Sequence, residues 1–211
     1  MANERNKQQL IDLISDRLRK EGHIVRNADN DADYLIAKTA LNYARESNDV
    51  LLFAEDCDIL VMLVHHYDPE MADIGICKLP TGKDRQGKRG TIFSVRNIVL
   101  TLDATLKKNI LFVHAWSGCD STSATFNKGK LSIMKLFKIN AIVKLSSDFL
   151  ARNQSKDKVE AAGEHVFSYV YGNGDVPLLQ LRCESYAEKK DDITQLDPRK
   201  LPPSPSAAHC H

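Results

Sequence analysis

The spacing of hydrophobic residues predicts helices in the first half of the chain. Within residues 5–21 they recur at helical spacing, at Leu10, Ile11, Ile14 and Leu18. Gly22 provides a stop for this helix, and a second helix is predicted to begin at Asp31. The run "ILVMLVHHY" at 59–67 follows an acidic turn and is predicted as a buried helix, and residues 96–116 are predicted to be mostly helical.

Short apolar runs between these helices predict strands. They are "HIV" at 23–25, "DVLLFAED" at 49–56, "ADIGICKL" at 72–79 and "GTIFSV" at 90–95. The run at 49–56 is continuously apolar and ends in acids, which is typical of a strand buried on both faces of a parallel sheet. The loop "PTGKDRQGKRG" joins the last two strands and is expected to be exposed and mobile. Interleaved strands and helices predict an α/β fold, with flanking helices on a parallel or mixed sheet.

The chain after Asp120 is predicted to be helical, at 131–138, 141–150 and 157–171. Five of the seven prolines lie in the last 35 residues, around one short predicted helix, "LLQLRCESYAEKK". From residue 191 onward we expect an extended linker or a docked tail. The predicted organisation is an α/β core at 1–120, a helical segment at 121–172 and a proline-rich linker or tail at 173–211.

Charge is distributed unevenly along a chain that is nearly neutral as a whole. The 211 residues are 43% hydrophobic and 27% charged, as in soluble globular proteins, and the net charge of +1 indicates no partner. Residues 27–58 hold eight acids against two bases, whereas residues 121–147 hold five lysines and no acid. This distribution fits a polyanion bound through metal ions and lysines, and a mixed solvated surface stays open as the alternative.

The cysteines and the apolar runs exclude several classes of protein. Five cysteines with no CxxC pair argue against a disulfide framework and a zinc ribbon. No apolar run approaches the roughly twenty residues that a membrane span needs, and the N-terminus has no signal-peptide pattern. We therefore expect an intracellular protein without membrane partners.

Five aspartates are the candidate metal ligands. Asp31 and Asp33 lie in "NDAD" at the start of a helix, Asp56 and Asp58 lie in "EDCD" just past a strand, and Asp120 follows a Gly-Cys pair. Ligand sites in open α/β sheets form at the carboxyl ends of the strands, where both pairs are expected to lie. Carboxylate ligands select Mg²⁺ or Mn²⁺, and two such ions about 4 Å apart can promote phosphodiester cleavage. Each motif alone has an alternative explanation as a helix N-cap or a polar turn.

Other reactive side chains are weaker candidates. His65 and His66 end an apolar helix, where histidines are usually structural, and His114 is interpreted as a core histidine. Cys57 and Cys119 stand beside acids, but no base is paired with either thiol, which argues against nucleophilic catalysis.

Three blocks of the sequence resemble the flap-endonuclease-like 5′-nucleases, a branch of the PIN-like fold. They are "ADNDADYLIAKTAL", "FAEDCDILVM" and "WSGCDSTSATFNKGKLSIMKLF". The chain, with "LPPS" near its end, also resembles animal proteins that have a PIN-like core and a similar tail. The resemblance implies a metal-dependent nuclease whose catalytic and metal-binding residues are Asp31, Asp33, Asp56, Asp58 and Asp120.

The resemblance also implies a nucleic-acid partner, DNA rather than RNA, and a nuclear location. In the family a helix-turn-helix unit that grips phosphates follows the last acid, and "NKGKLSIMKLFK" occupies that place here. Its lysines are the predicted phosphate contacts: Lys128, Lys130, Lys135 and Lys138. Asn127 stands where the family has a second glycine.

The chain begins later than the family pattern does. We expect it to lack the first strand of that fold together with two further aspartates, as a fragment of a longer protein would. On this view the fragment binds metal but cleaves weakly, and the alternative function is a non-catalytic PIN-like scaffold that binds nucleic acid or a protein.

Overall fold

Helices and strands alternate in the first half of the chain, and helices fill the second half. The computed structural model describes residues 2–79, 90–151, 153–172, 174, 176–188 and 197–211. The strands in these ranges are β1 (Val50–Phe53), β2 (Ile74–Lys78) and β3 (Thr91–Ser94). The helices are α1 (Ala2–Lys20), α2 (Ala32–Arg45), α3 (Cys57–His66), α4 (Val95–Thr101), α5 (Ala104–Ser117), α6 (Lys130–Leu136), α7 (Asn140–Leu150), α8 (Lys156–Tyr171), α9 (Leu178–Ala187) and α10 (Pro205–His209).

The strands form one small mixed sheet in the order β1-β2-β3. β1 runs parallel to β2, with Val50 opposite Ile74, and β2 runs antiparallel to β3, with Gly75 opposite Ser94. The parallel connection from β1 to β2 passes through α3, as parallel pairs require a crossover. The predicted α/β class is confirmed, although helices dominate the described residues. Most of the predicted loop between β2 and β3 lies outside the described residues.

One face of the sheet packs against the helices, whereas the other face is exposed at β1 and at Ile92 of β3. Ile74 and Ile76 on the inner face are buried beneath the helices, whereas Leu51 and Phe53 on the outer face are 52% and 63% exposed. The prediction that the run at 49–56 is buried on both faces is therefore wrong for the described structure. The cause is topological, because β1 is an edge strand and the described helices cover only one side of it.

Two hydrophobic clusters hold the molecule together, and α5 contributes to both. The first packs α2, α3 and α4 on the inner face of the sheet, around residues without measurable exposure such as Ala44, Leu63 and Val95. The second is aromatic and lies among the later helices. In it Phe112 stacks on Trp116, with ring centroids 5.4 Å apart, and Phe167 lies 5.0 Å from Trp116. Ile110 belongs to the first cluster, so α5 ties the two together.

Several local predictions need correction. Residues 23–25 form no strand: after α1 ends, the amide of His23 donates to the carbonyl of Leu18, and the chain then runs irregularly to α2. The predicted helix at 96–116 is two helices, because Asp103 caps α5 by accepting from the amides of Thr105 and Leu106. α4 ends at Thr101, and the cap starts α5 at Ala104.

The end of the chain is docked on the aromatic cluster where it is described. Leu201, Pro202 and Ala208 are buried, and Arg182 of α9 donates to the carbonyl oxygen of Pro202. His211 contacts the hydroxyl of Ser123 at 2.7 Å and the carbonyl oxygen of Trp116 at 3.2 Å. Of the two expectations for this region, the described residues 197–211 match the docked tail. None of the described helices combines the length and apolar character needed to cross a membrane.

Two isoleucines of the sheet give a matched test of its one-sided burial. Ile74 is fully buried, so Ile74→Ala should lower the free energy of unfolding by about 2–5 kcal/mol through lost contacts and a cavity. Ile92 lies on the outer face and is 60% exposed, so Ile92→Ala should lower it by less than about 1 kcal/mol. Urea denaturation measures both values. Equal losses would show that the outer face is covered in solution.

Candidate functional site

Three separate segments bring carboxylates to the same place. Asp31 and Asp33 lie at the N-terminus of α2, and Asp58 lies in the first turn of α3. Asp120 lies in the turn that follows α5, two residues after Gly118 caps that helix. The shared position follows from packing, because α3 lies against both α2 and α5.

These acids line one open cleft with a volume of about 590 Å³. Its floor is apolar, formed by Val61, Met62 and Leu111. Its polar lining is formed mainly by Asp31, Asp33, Asp58, His114, Cys119 and Asp120. Four of the five predicted carboxylates thus face the cleft, and the fifth, Asp56, stands beside it at the start of α3 without lining it.

Two of the acids also cap helices, as their local pattern predicted. Oδ1 of Asp31 accepts from the amides of Asp33, at 2.8 Å, and Tyr34, at 3.4 Å. Oδ1 of Asp56 accepts from the amide of Asp58 at 3.0 Å. In both residues Oδ2 accepts no hydrogen bond from the described residues, so a cap and a cation ligand are compatible roles for one carboxylate.

Asp33 is subject to the repulsion that this arrangement creates. Burial raises the pKa of Asp33 above its ordinary value. The charges of the other four acids raise it further, in the order Asp56, Asp31, Asp58 and Asp120. The five predicted ligands are therefore close enough to interact electrostatically, although they come from distant parts of the sequence.

His114 is the cleft residue whose role the sequence did not predict. It lies on α5 and was interpreted as a core histidine, but its Nε2 is 3.2 Å from Oδ1 of Asp58. Its Nδ1 is buried and has no hydrogen-bond partner among the described residues. A proton on Nε2 lets the ring donate to Asp58 and fix the orientation of that carboxylate. The apolar run around His114 concealed this role, because the contact joins residues 56 positions apart.

The carboxylates of the cleft suit a hard cation, but they lie too far apart to enclose one. Among the described residues, no three His, Cys, Asp or Glu side chains are close enough to hold a single ion. Carboxylate oxygens are nevertheless the ligand type that Mg²⁺ and Mn²⁺ prefer. A divalent cation would also neutralise the repulsion that raises the pKa of Asp33. The chemistry of the residues therefore fits such an ion, provided that the carboxylates move closer together.

The turn that carries Asp120 is tied down by hydrogen bonds. The hydroxyl of Thr122 donates to the carbonyl oxygen of Ala115 at 2.6 Å and lies 3.2 Å from the amide of Cys119. Nζ of Lys130 donates to the carbonyl oxygen of Gly118 at 3.2 Å. Hydrogen bonds to Ser121 and then Thr122 lower the pKa of the Cys119 thiol. Asp120 is thus held beside the cleft by its neighbours.

The four lysines predicted to contact phosphate have different surroundings. Lys128 lies over the ring of Tyr171, with Nζ 5.1 Å from the ring centroid, and Lys130 bonds to Gly118 as described above. Lys135 in α6 and Lys138 just after it are exposed. Two of the lysines therefore support the local structure, whereas Lys135 and Lys138 are available to a partner.

Comparisons of the chain with protein-family models, with curated proteins and with solved structures find no match. The function of the cleft has therefore to be inferred from its own donors, charges and exposure. Those features are an acidic lining from three segments, a histidine on one acid and two exposed lysines near the following helix.

Two glycines near the cleft give a matched test of the Asp120 turn. Gly118 has φ +96°, and a Cβ there would lie 2.6 Å from Cβ of Ala124, so Gly118→Ala should destabilise the fold by about 1–3 kcal/mol. A Cβ on Gly129 would meet nothing within 4 Å, so Gly129→Ala should cost only the roughly 1 kcal/mol or less of a weaker N-cap for α6. Thermal unfolding compares the two variants. A neutral Gly118→Ala variant would show that the turn does not need this backbone shape.

The raised pKa of Asp33 predicts how stability depends on pH. Since the folded protein holds this proton more tightly than the unfolded chain does, ionisation of Asp33 lowers stability as the pH rises above about 4. Asp33→Asn should therefore raise the melting temperature at pH 7 without divalent cations, and this gain should vanish near pH 3.

The control is Asp148→Asn, which removes one charge from an exposed position outside the cleft and should change the melting temperature little. Melting curves at both pH values measure the difference. A lower melting temperature for Asp33→Asn at pH 7 would show that the helix dipole stabilises this charge more than its acidic neighbours repel it.

Proposed function

We propose that this chain is a PIN-like, flap-endonuclease-like domain that hydrolyses phosphodiester bonds of nucleic acid, DNA rather than RNA, with Mg²⁺ or Mn²⁺. The observation that carries the proposal is that Asp31, Asp33, Asp58 and Asp120 reach one exposed cleft from three chain segments. A structural acid is normally paired with a base, but among the described residues only Asp58 of these four has one, His114. The acids also repel one another, as the raised pKa of Asp33 indicates, and repulsion of this kind is typical of cation sites.

Each side chain of the cleft has a separate task in this proposal. Asp31, Asp33, Asp58 and Asp120 would hold the divalent ions, with Asp56 as the fifth predicted ligand. When bound, the ions supply an activated water and neutralise charge on the leaving oxygen. His114 orients Asp58 through the Nε2 contact, as partners behind metal ligands commonly do. The exposed Lys135 and Lys138 bind the phosphate backbone outside the cleft.

A second candidate function is a non-catalytic domain of this kind that binds nucleic acid or a protein partner. It is favoured by the spacing of the acids, because in the described part of the chain no three potential ligands can share one ion. It is also favoured by Asp31 and Asp56, whose caps would account for those residues without any metal. The two candidates differ in whether a cation draws the carboxylates together and supports cleavage.

Metal binding and cleavage together test the proposal. Mg²⁺ or Mn²⁺ should raise the melting temperature of the parent. At 100 times its Kd, the ion should add about 2.7 kcal/mol to the free energy of unfolding. The parent should also cut end-labelled DNA, slowly and only when a divalent ion is present. Asp58→Asn and Asp120→Asn should each lower cleavage by more than about a hundredfold, because partners behind the ligands alone contribute about 10- to 100-fold.

Asp148→Asn serves as the control, since this exposed residue lies outside the cleft and should leave both measurements unchanged. Stabilisation by metal without cleavage would favour the non-catalytic candidate. If neither ion changes the melting temperature of the parent, the metal site is wrong.

A further inference from the structure

A second groove leads away from the acidic cleft, between α2 and α3. It has a volume of about 230 Å³, and its lining includes Tyr34, Lys38, Asn42, Arg45, Met62 and His66. Met62 lines both this α2–α3 groove and the acidic cleft, so the two adjoin at that side chain. Asp58, Met62 and His66 follow at steps of four residues and form one stripe of α3 that runs from the acids into the groove.

The charge of the α2–α3 groove is opposite to that of the cleft. Lys38 and Arg45 lie on the groove side of α2, seven residues and thus about 10 Å apart along the helix axis. No acid is among the described residues that line the groove. His66 and Asn42 add further polar side chains that can donate hydrogen bonds. A polyanion therefore finds complementary charge directly beside the acids that would hold its metal ions.

Tyr34 presents an aromatic surface in the groove and is the next residue along α2 after Asp33 of the cleft. Its side chain is 57% exposed, and its ring lies 5.6 Å from Nζ of Lys38. An exposed ring beside a cation is the combination with which proteins hold single strands, since bases stack on the ring and phosphates contact the cation. A duplex is far wider than a groove between two packed helices, so a single strand is the form that fits.

We propose that the α2–α3 groove binds a single strand of nucleic acid that continues out of the acidic cleft. Tyr34 stacks a base next to the cleft, and Lys38 and Arg45 contact successive parts of the backbone. The inference rests on the proposed function of the cleft, and it adds a binding surface separate from α6 and its lysines.

A purely structural role for these bases makes a different prediction. Arg45 is in the last turn of α2 and His66 is in the last turn of α3, where positive charge stabilises a helix. Nη1 of Arg45 also donates to Oδ1 of Asn42 at 2.9 Å, within the same helix. If that were their whole role, substitutions would lower the melting temperature and leave affinity for nucleic acid unchanged.

The test measures the binding of a fluorescein-labelled oligothymidylate by fluorescence anisotropy. It is repeated at several salt concentrations, with Ca²⁺ present as the divalent ion throughout. Replacing Lys38 and Arg45 together by Gln should weaken binding several-fold. It should also make the slope of log K against log salt shallower by about 1.4, since each lost contact with a single strand contributes about 0.7. The control, Lys144→Gln with Lys158→Gln, makes the same change of charge on α7 and α8 and should leave both quantities unchanged.

Tyr34 gives a second readout that does not depend on charge. Tyr34→Ala should weaken binding about tenfold through lost stacking, whereas Tyr34→Phe keeps the ring and should bind as the parent does. An oligonucleotide that carries 5-iododeoxyuridine should form a photo-crosslink at Tyr34, identified by mass spectrometry.

The results that would overturn the groove proposal differ from those that would overturn the proposed function. If Lys135→Gln with Lys138→Gln weakens binding while the Lys38, Arg45 and Tyr34 variants bind as the parent does, the groove is overturned and the proposed function stands. The groove is also overturned if the Lys38 and Arg45 variant has a lower melting temperature but an unchanged affinity for the oligonucleotide. If the parent binds no oligonucleotide at any salt concentration, the proposed function fails, and the groove fails with it.

Discussion

Helix α3 has to bury an apolar face against both α2 and α5 while its first turn stays open to solvent, and the acidic cleft depends on that constraint. Ile59, Leu63 and Val64 are buried in the first hydrophobic cluster. Their burial fixes the rotation of the helix, which leaves Asp58 on the side that faces the end of α5 and His114. The apolar core thus determines which carboxylates meet, because the acids themselves repel one another.

Helix termini explain how so many acids are tolerated at one place. The N-termini of α2 and α3 both point at the cleft, and free backbone amides there attract negative charge. Asp31 and Asp56 use those amides directly as caps. Asp33 makes no such bond through its side chain among the described residues, and its pKa is the one that burial and its neighbours raise. The cleft therefore retains an unbalanced negative charge after the helix termini have stabilised part of it.

Much of the fold was predictable from sequence, because the relevant signals are local. The periodicity of α2 and α3 and the acids at their first turns lie within a few residues, and the structure has these helices where they were expected. The predicted strand at 23–25 failed because a histidine and two apolar residues next to a helix end carry no information about a pairing partner. The exposure of Leu51 and Phe53 was not predictable either, since it depends on which elements cover each side of the sheet. For the site, the positions of the acids were predictable from the chain, but the contact of His114 with Asp58 was not, because it is set by how α5 packs on α3.

Buried alanines determine how α2 packs beside both the acidic cleft and the α2–α3 groove. Ala37, Ala40 and Ala44 are buried, and side chains of this size let α2 approach α3 and the sheet closely. Ala37 also lines the α2–α3 groove, so the width of that groove is set by the same close packing. Both helices also carry acids at their N-terminal ends and bases towards their C-terminal ends, an arrangement that their dipoles favour at both ends. A change in the spacing of α2 and α3 would therefore alter the groove and the separation of Asp33 from Asp58 together, which couples the binding surface to the geometry of the candidate metal ligands.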